Sequence, residues 1–371
     1  MTPITKSSTL ESASVEALSE QTNFSLQDVV TPQVDARIAT GRELKKRSLG
    51  IEPVSAQTVP SAEPVSKISK QAAITVVVSA SEDIVSAQSL SEPGASPSLS
   101  EATTAASRGA SSINEVLGTN RDDNITATLQ PDFIDGLRGN DTIRGDNGDD
   151  IIVGSAGNDV ISGDHVPSRT TQSNDTITGG SGNDQLFGRI GNDLLIGSSG
   201  NDQIFGGSGS DRINGGSGDD QIFGGIVDGD RSFNPGPDER DVLIGGSGND
   251  FIDGGEGNDV ILGTNARAAG AGEIDLLTGG GGRDTFVLGS RTKAFYTRGG
   301  ASQDFGLILD FQKGDRIRLF GDASDYTLFY DAAENSTALG YLGGGGFELV
   351  GVLTDTELTD AALNTNAFQF I

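Results

Sequence analysis

Residues 179–223 read GGSGNDQLF, GRIGNDLLI, GSSGNDQIF, GGSGSDRIN and GGSGDDQIF, five consecutive units of nine residues. The same unit precedes them over 136–162 (GLRGNDTIR, GDNGDDIIV, GSAGNDVIS) and follows them over 245–262 (GGSGNDFID, GGEGNDVIL). Carried backwards, the frame takes in GTNRDDNIT from Gly118 and ATLQPDFID from Ala127. Carried through three longer units starting at Gly163, Gly224 and Gly263, it reaches GGGGRDTFV at Gly279. A short fixed period marks a solenoid, in which each repeat is one structural unit stacked on its neighbours. Two positions hold throughout: the sixth is always Asp, and the eighth is always Ile, Leu or Phe.

Each unit reads as a six-residue Gly-rich turn followed by a three-residue strand. Gly at positions one and four would permit positive φ, and the Asn or Asp common at position five tolerates the left-handed region better than other side chains. Strand alternation turns position eight inward and positions seven and nine outward. Two units make one coil of a flattened right-handed solenoid, so each unit stacks on the unit two further along, about 4.8 Å away. Carboxylates such as Asp184 and Asp202, or Asp193 and Asp211, then fall into stacked rows. The fold expected is all-β, a flattened right-handed solenoid over 113–288, with a small conventional domain at 289–371 and a largely disordered region at 1–112.

The charge agrees with this division. The chain of 371 residues has 53 acidic against 25 basic side chains, a net charge of -28, and 54 Gly. Most of those glycines and most of the acids, nearly all of them Asp, lie between 118 and 288, where there is no Lys. Such a balance excludes a nucleic-acid partner and disfavours an anionic membrane, since both need basic contacts. The absence of Cys removes disulfide scaffolds and thiolate metal sites, and the single His165 removes any HExxH helix. GxSxG is absent too, so no catalytic constellation is visible. Stacked rows of carboxylates repel one another unless a cation lies between the turns. Carboxylate and carbonyl oxygens on a flexible loop are hard ligands that suit several Ca2+ ions better than the geometrically stricter Mg2+.

The units match GGxGxDxUx, and the chain thereby resembles the RTX (hemolysin-type calcium-binding repeat) family over 118–288. The resemblance implies a parallel β-roll in which each calcium is held by two position-six aspartates 18 residues apart, together with turn carbonyls. Carried over by position, it nominates Asp141, Asp150, Asp159, Asp184, Asp193, Asp202, Asp211, Asp220, Asp250, Asp259 and Asp284. Five units depart from the pattern. Asp123 and Asp132 follow turns with Arg121 and Gln130 at position four, and Asp175, Asp241 and Asp275 follow inserted loops.

The tail also resembles secreted RTX proteins, including the serralysin-type proteases. DTFVLG (284–289), LILDFQKGDRIRLFG (307–321), YTLFYD, ALGYL and FELVGVL look like the β-rich domain that caps the open end of the roll. The final NAFQFI (366–371) looks like the uncleaved signal read by type I secretion machinery, in agreement with an N-terminus that shows no signal peptide. The longest apolar run, Ala72–Val78, is too short to span a bilayer. The resemblance therefore implies a secreted, extracellular or cell-surface protein without catalytic activity, whose roll folds when it meets calcium. A calcium-dependent adhesin, S-layer-like or matrix component with an unidentified cell-surface ligand is the alternative, and an enzyme with its site in the loops or cap a remote one.

Three weaker features complete the chain. Val34–Leu49 has helix formers and the basic cluster Lys45, Lys46 and Arg47. Residues 228–239 (DGDRSFNPGPDE) place acids at EF-hand spacing but put Phe233 where that loop needs Gly. Phe187, Phe205 and Phe223, beside Gln185, Gln203 and Gln221, form an aromatic ladder on one sheet face, either an exposed contact surface or packed under a loop or the cap.

Overall fold

Successive nine-residue units send their strands to alternate sheets. In the computed structural model, which describes residues 113–164, 173–225, 240–264, 272–291, 293–297, 304–342 and 347–371, this produces an 11-stranded sheet facing a 12-stranded one, plus a small two-stranded pair. Among the described residues no α-helix occurs, and only two short 3-10 turns, Ala323–Asp325 and Asp360–Asn364, interrupt the strands and loops. Neighbouring repeat strands are parallel and in register by repeat position: Leu186 pairs with Ile204, and Ile204 with Ile222. The structure is a parallel β-roll.

The roll closes around the position-eight side chains. Ile125, in the first unit, is 8% exposed, whereas those from Ile134 to Phe286 are 1% exposed or less and form one continuous apolar cluster. Burying a side chain of this size stabilises by about 1.5 to 3 kcal/mol. Some repeat strands have the three residues expected, such as Thr142–Arg144 and Gln221–Phe223, but many are longer. Gln203–Ser208 and Leu194–Ser199, for example, run on from position seven through position three of the next unit.

The turn glycines divide into two kinds, which corrects the expected geometry. Position four does carry positive φ, as at Gly182 (131°) and Gly200 (125°). Position two carries it as well, even where the residue is Leu137 (74°) or Ser198 (83°). Position one does not; it is Gly because a methyl built on Gly197 would lie 2.2 Å from Asp202 Oδ2 and 2.5 Å from the Gly215 carbonyl oxygen. Nor is position five left-handed at any described unit. Its side chain instead accepts a hydrogen bond from the same position one coil later: Asn201 N–H donates to Asn183 Oδ1 (2.8 Å), and Asp219 N–H to Asn201 Oδ1 (3.0 Å).

The long units keep the register assigned to them. Ile152 pairs with Ile177, Ile213 with Leu243, and Ile252 with Leu277. The insertions themselves, with His165 and the EF-hand-like spacing of 228–239, lie outside the described residues, as do Val34–Leu49, Ala72–Val78 and the rest of 1–112.

Beyond Leu288 the chain adds strands to both existing sheets. Phe305–Ile308 and then Glu348–Thr354 extend one in parallel, and Arg316–Leu319 and Phe368–Phe370 extend the other. Ser336–Tyr341 and Tyr326–Asp331 finish the first of these sheets in antiparallel fashion. NAFQFI thus contains the last strand of a sheet, with Phe368 buried.

The aromatic ladder is present. Phe187, Phe205 and Phe223 stack with ring centroids 5.0 Å apart and planes within 6°. It is half-buried at Phe187 and Phe205 and buried from Phe223 onward, where it joins Phe251, Leu276, Phe305 and Leu307 in a second apolar cluster.

Candidate metal centre

In the regular units from Gly136 onward, the position-six Asp enters its strand from a turn with positive φ at position four, as at Gly182 before Asp184 and Gly200 before Asp202. The side chains form two rows. One contains Asp123, Asp141, Asp159, Asp184, Asp202, Asp220, Asp250 and Asp275; the other contains Asp132, Asp150, Asp175, Asp193, Asp211, Asp241, Asp259 and Asp284. Within each row the backbone N–H of one Asp donates to Oδ1 of the next: Asp184 to Asp202 at 2.8 Å, Asp202 to Asp220 at 2.8 Å, Asp175 to Asp193 at 2.8 Å and Asp193 to Asp211 at 2.8 Å. The bond survives the insertions, with Asp150 N–H to Asp175 Oδ1 at 2.9 Å, Asp211 to Asp241 at 2.7 Å and Asp250 to Asp275 at 2.9 Å. The three long units therefore align their carboxylates with the rest.

Oδ1 is used by the fold; in nine of these residues Oδ2 is not. The Oδ2 atoms of Asp141, Asp150, Asp159, Asp175, Asp184, Asp193, Asp202, Asp220 and Asp250 are buried without a hydrogen-bond partner. A buried polar atom left in this state costs about 1 to 3 kcal/mol, and more when charged. Repeating that cost along both rows makes sense only if another group meets these oxygens. The surroundings supply further donors of the right kind. The methyl positions of Gly188 and Gly206 are bordered by Asp193 Oδ2 (2.4 Å) and the Gly206 carbonyl (2.6 Å), and by Asp211 Oδ2 (2.3 Å) and the Gly224 carbonyl (2.6 Å). Carboxylate and carbonyl oxygens from successive coils thus face the same small space. Among the described residues no three acidic or histidine side chains converge on one point, so a cation here has to draw on backbone carbonyls as well.

Electrostatics point the same way. Burial, reinforced by neighbouring carboxylates, pushes Asp150 and Asp220 up to about 8 and Asp175 to about 9. Burial raises Asp159, Asp184, Asp202 and Asp284 to about 6, and lifts Asp193 and Asp250 well above the usual carboxylate range with help from their row neighbours. Without a counter-charge the fold resists ionising these groups. A hard divalent cation would reverse that preference, because it binds the ionised form.

These residues match the description "RTX calcium-binding nonapeptide repeat" over 117–152, 144–165, 169–195, 196–228 and 238–266. The chain carries RTX calcium-binding repeats. No curated protein matches the chain at a significant level. The RTX matches include the units at Asp175 and Asp241, which follow inserted loops. The structure also adds an aspartate to the second row: Asp284 N–H donates to Asp315 Oδ1 at 3.0 Å. Asp315 stands two residues before the buried Ile317, the Asp-x-Ile spacing of the RTX repeats, but without the flanking Gly frame that would have exposed it.

Proposed function

We propose that this is a secreted, non-catalytic calcium-binding protein whose RTX roll folds when it meets extracellular Ca2+. The observation that carries the proposal is the row of buried, unpartnered Oδ2 atoms from Asp141 to Asp250 and from Asp150 to Asp193. Asp141, Asp150, Asp159, Asp175, Asp184, Asp193, Asp202, Asp211, Asp220, Asp241, Asp250, Asp259 and Asp284 would hold the ions with turn carbonyls of adjacent coils. The ions would supply positive charge where the fold places stacked anions. At cytosolic calcium levels the rows would repel, keeping the chain unfolded and fit for threading through type I secretion machinery, for which the tail NAFQFI would be the signal. Once outside, folding would make export hard to reverse. The β-rich tail would act as the cap of the roll, as in the secreted RTX proteins it resembles.

Circular dichroism of the full chain during calcium titration tests this. The expected result is little β-structure in chelator and a cooperative gain on adding Ca2+, with Mg2+ far less effective. A chain already β-rich in chelator and indifferent to calcium would overturn it.

A second role, as a calcium-dependent adhesin, is favoured by the half-buried Phe187 and Phe205 on an outer sheet face. Calcium-dependent binding to cells or glycans that is lost in Phe187→Ala would support it.

A further inference from the structure

In nine interior carboxylates, among them Asp184, Asp202 and Asp220, Oδ2 has no donor, but the ends of the rows differ. At the start, Thr119 N–H donates to Asp123 Oδ2 (2.5 Å), and Thr128 donates to Asp132 Oδ2 through both its amide (2.7 Å) and its hydroxyl (2.8 Å). At the far end of the second row, Gln312 N–H donates to Asp315 Oδ2 (2.7 Å). These three are contacts within a single turn.

The far end of the first row is closed differently. Tyr296 reaches Asp275 from 21 residues downstream, and its hydroxyl donates to Oδ2 at 2.6 Å. Tyr296 is only 1% exposed and packs in the main apolar cluster, so its hydroxyl is held in place. The position of that oxygen is informative. A methyl built on Gly245 would meet Asp250 Oδ2 at 2.2 Å and the next coil's carbonyl, Gly263 O, at 2.3 Å; one built on Gly263 would meet Asp275 Oδ2 at 2.4 Å and Tyr296 Oη at 2.3 Å. The phenol stands where the next coil would have offered a carbonyl. It brings a proton to the carboxylate, whereas a carbonyl could bring only lone pairs. An O–H to carboxylate bond of this kind is charge-assisted and satisfies the buried oxygen without a metal.

We infer that Tyr296 ends the first row of cation positions: its hydroxyl takes the place of calcium at Asp275 Oδ2, so this carboxylate, although in register, adds no ion of its own. The inference rests on the calcium reading of the interior sites. It separates Asp275 from Asp175 and Asp241, which follow similar insertions, and explains how the roll passes from coils that need cations to coils that do not.

The test is the number of Ca2+ ions bound per full-length chain, measured by elemental analysis after dialysis against saturating calcium. Asp275→Asn keeps an acceptor for the Asp250 N–H and should bind as many ions as the unsubstituted protein. Tyr296→Phe should bind at least that many, and Asp202→Asn, in the row's interior, should lose at least one. Loss of an ion in Asp275→Asn, or in Tyr296→Phe, would make the carboxylate or the phenol a calcium ligand and overturn the inference. If the unsubstituted chain binds none, or Asp202→Asn loses none, the calcium reading of the interior rows fails, and this one with it.

Discussion

At Gly197 a single missing methyl group decides whether the turn can form. Alanine there would place Cβ 2.2 Å from Asp202 Oδ2 and 2.5 Å from a backbone carbonyl, in the space where carboxylate and carbonyl oxygens of two coils approach. Gly225, by contrast, meets nothing closer than 3.6 Å. Gly197→Ala is therefore expected to destabilise the calcium-loaded protein by about 1 to 3 kcal/mol or more, and Gly225→Ala to be nearly neutral, as read by thermal denaturation. Asp202 itself has two duties, accepting the Asp184 N–H through Oδ1 and presenting Oδ2 to the cation space. Asp202→Ala should lose both, lowering calcium affinity and stability together, while Asp202→Asn should lose mainly the affinity. Equal calcium affinity in the Asn variant and the unsubstituted chain would show that Oδ2 is not a ligand. Position five illustrates how propensity misleads. Its Asn and Asp suggested left-handed turns, yet they form an exposed ladder of side-chain to backbone bonds, a non-local role that composition at one site does not reveal.

Strands of the roll depend on their neighbours for nearly everything. Ile204 is fully buried between Leu186 and Ile222 on adjacent strands, so Ile204→Ala should cost about 2 to 5 kcal/mol. Phe205 has a partly exposed ring stacked on both sides at 5.0 Å. Phe205→Ala should cost less than Ile204→Ala, and comparing the two midpoints in denaturant checks the order. The period-nine pattern made the inward residues and the two alternating sheets legible, because a strict repeat fixes which side chains coincide after each coil. The longer strands were not legible: in units such as those ending at Ile196 and Phe205, positions one to three of the next unit read as turn, yet pair as strand because the neighbouring coils offer them hydrogen-bond partners. The same holds for the outer end of the Phe ladder, where burial from Phe223 onward comes from contacts with Phe305, Leu307 and other residues far away in sequence.

For the whole molecule the rows of carboxylates make stability depend on pH in opposite ways with and without calcium. The folded-state pKa values are raised, to about 6 for Asp159, Asp184 and Asp202, about 8 for Asp150 and Asp220, and about 9 for Asp175. An unfolded Asp titrates near 3.9, so between these limits the metal-free fold binds more protons than the unfolded chain. The stabilisation from protonation is complete below about 4 and is lost as pH rises through 6 to 9. In chelator, whatever residual β-structure circular dichroism reads should accordingly be greater at pH 5 than at pH 9. With calcium the order should reverse, because protons and cations compete for the same oxygens, and binding at pH 7 should release protons, detectable by calorimetry in buffers of different ionisation enthalpy. A β-structure signal in calcium that does not weaken as pH falls from 9 to 5 would contradict competition between protons and cations for these oxygens.

The amino-acid sequence alone determined the coil length, the inward residues, the two rows of aspartates and the hard-cation character of the site, because each follows from a local period repeated with few errors. Tertiary structure decided which oxygens in those rows lack a partner. Asp275 and Asp202 occupy the same position in their units, yet Oδ2 of Asp275 meets the Tyr296 hydroxyl and Oδ2 of Asp202 meets no donor. That difference arises from a residue outside the repeat, brought up by the strands that extend the roll, and no repeat position encodes it.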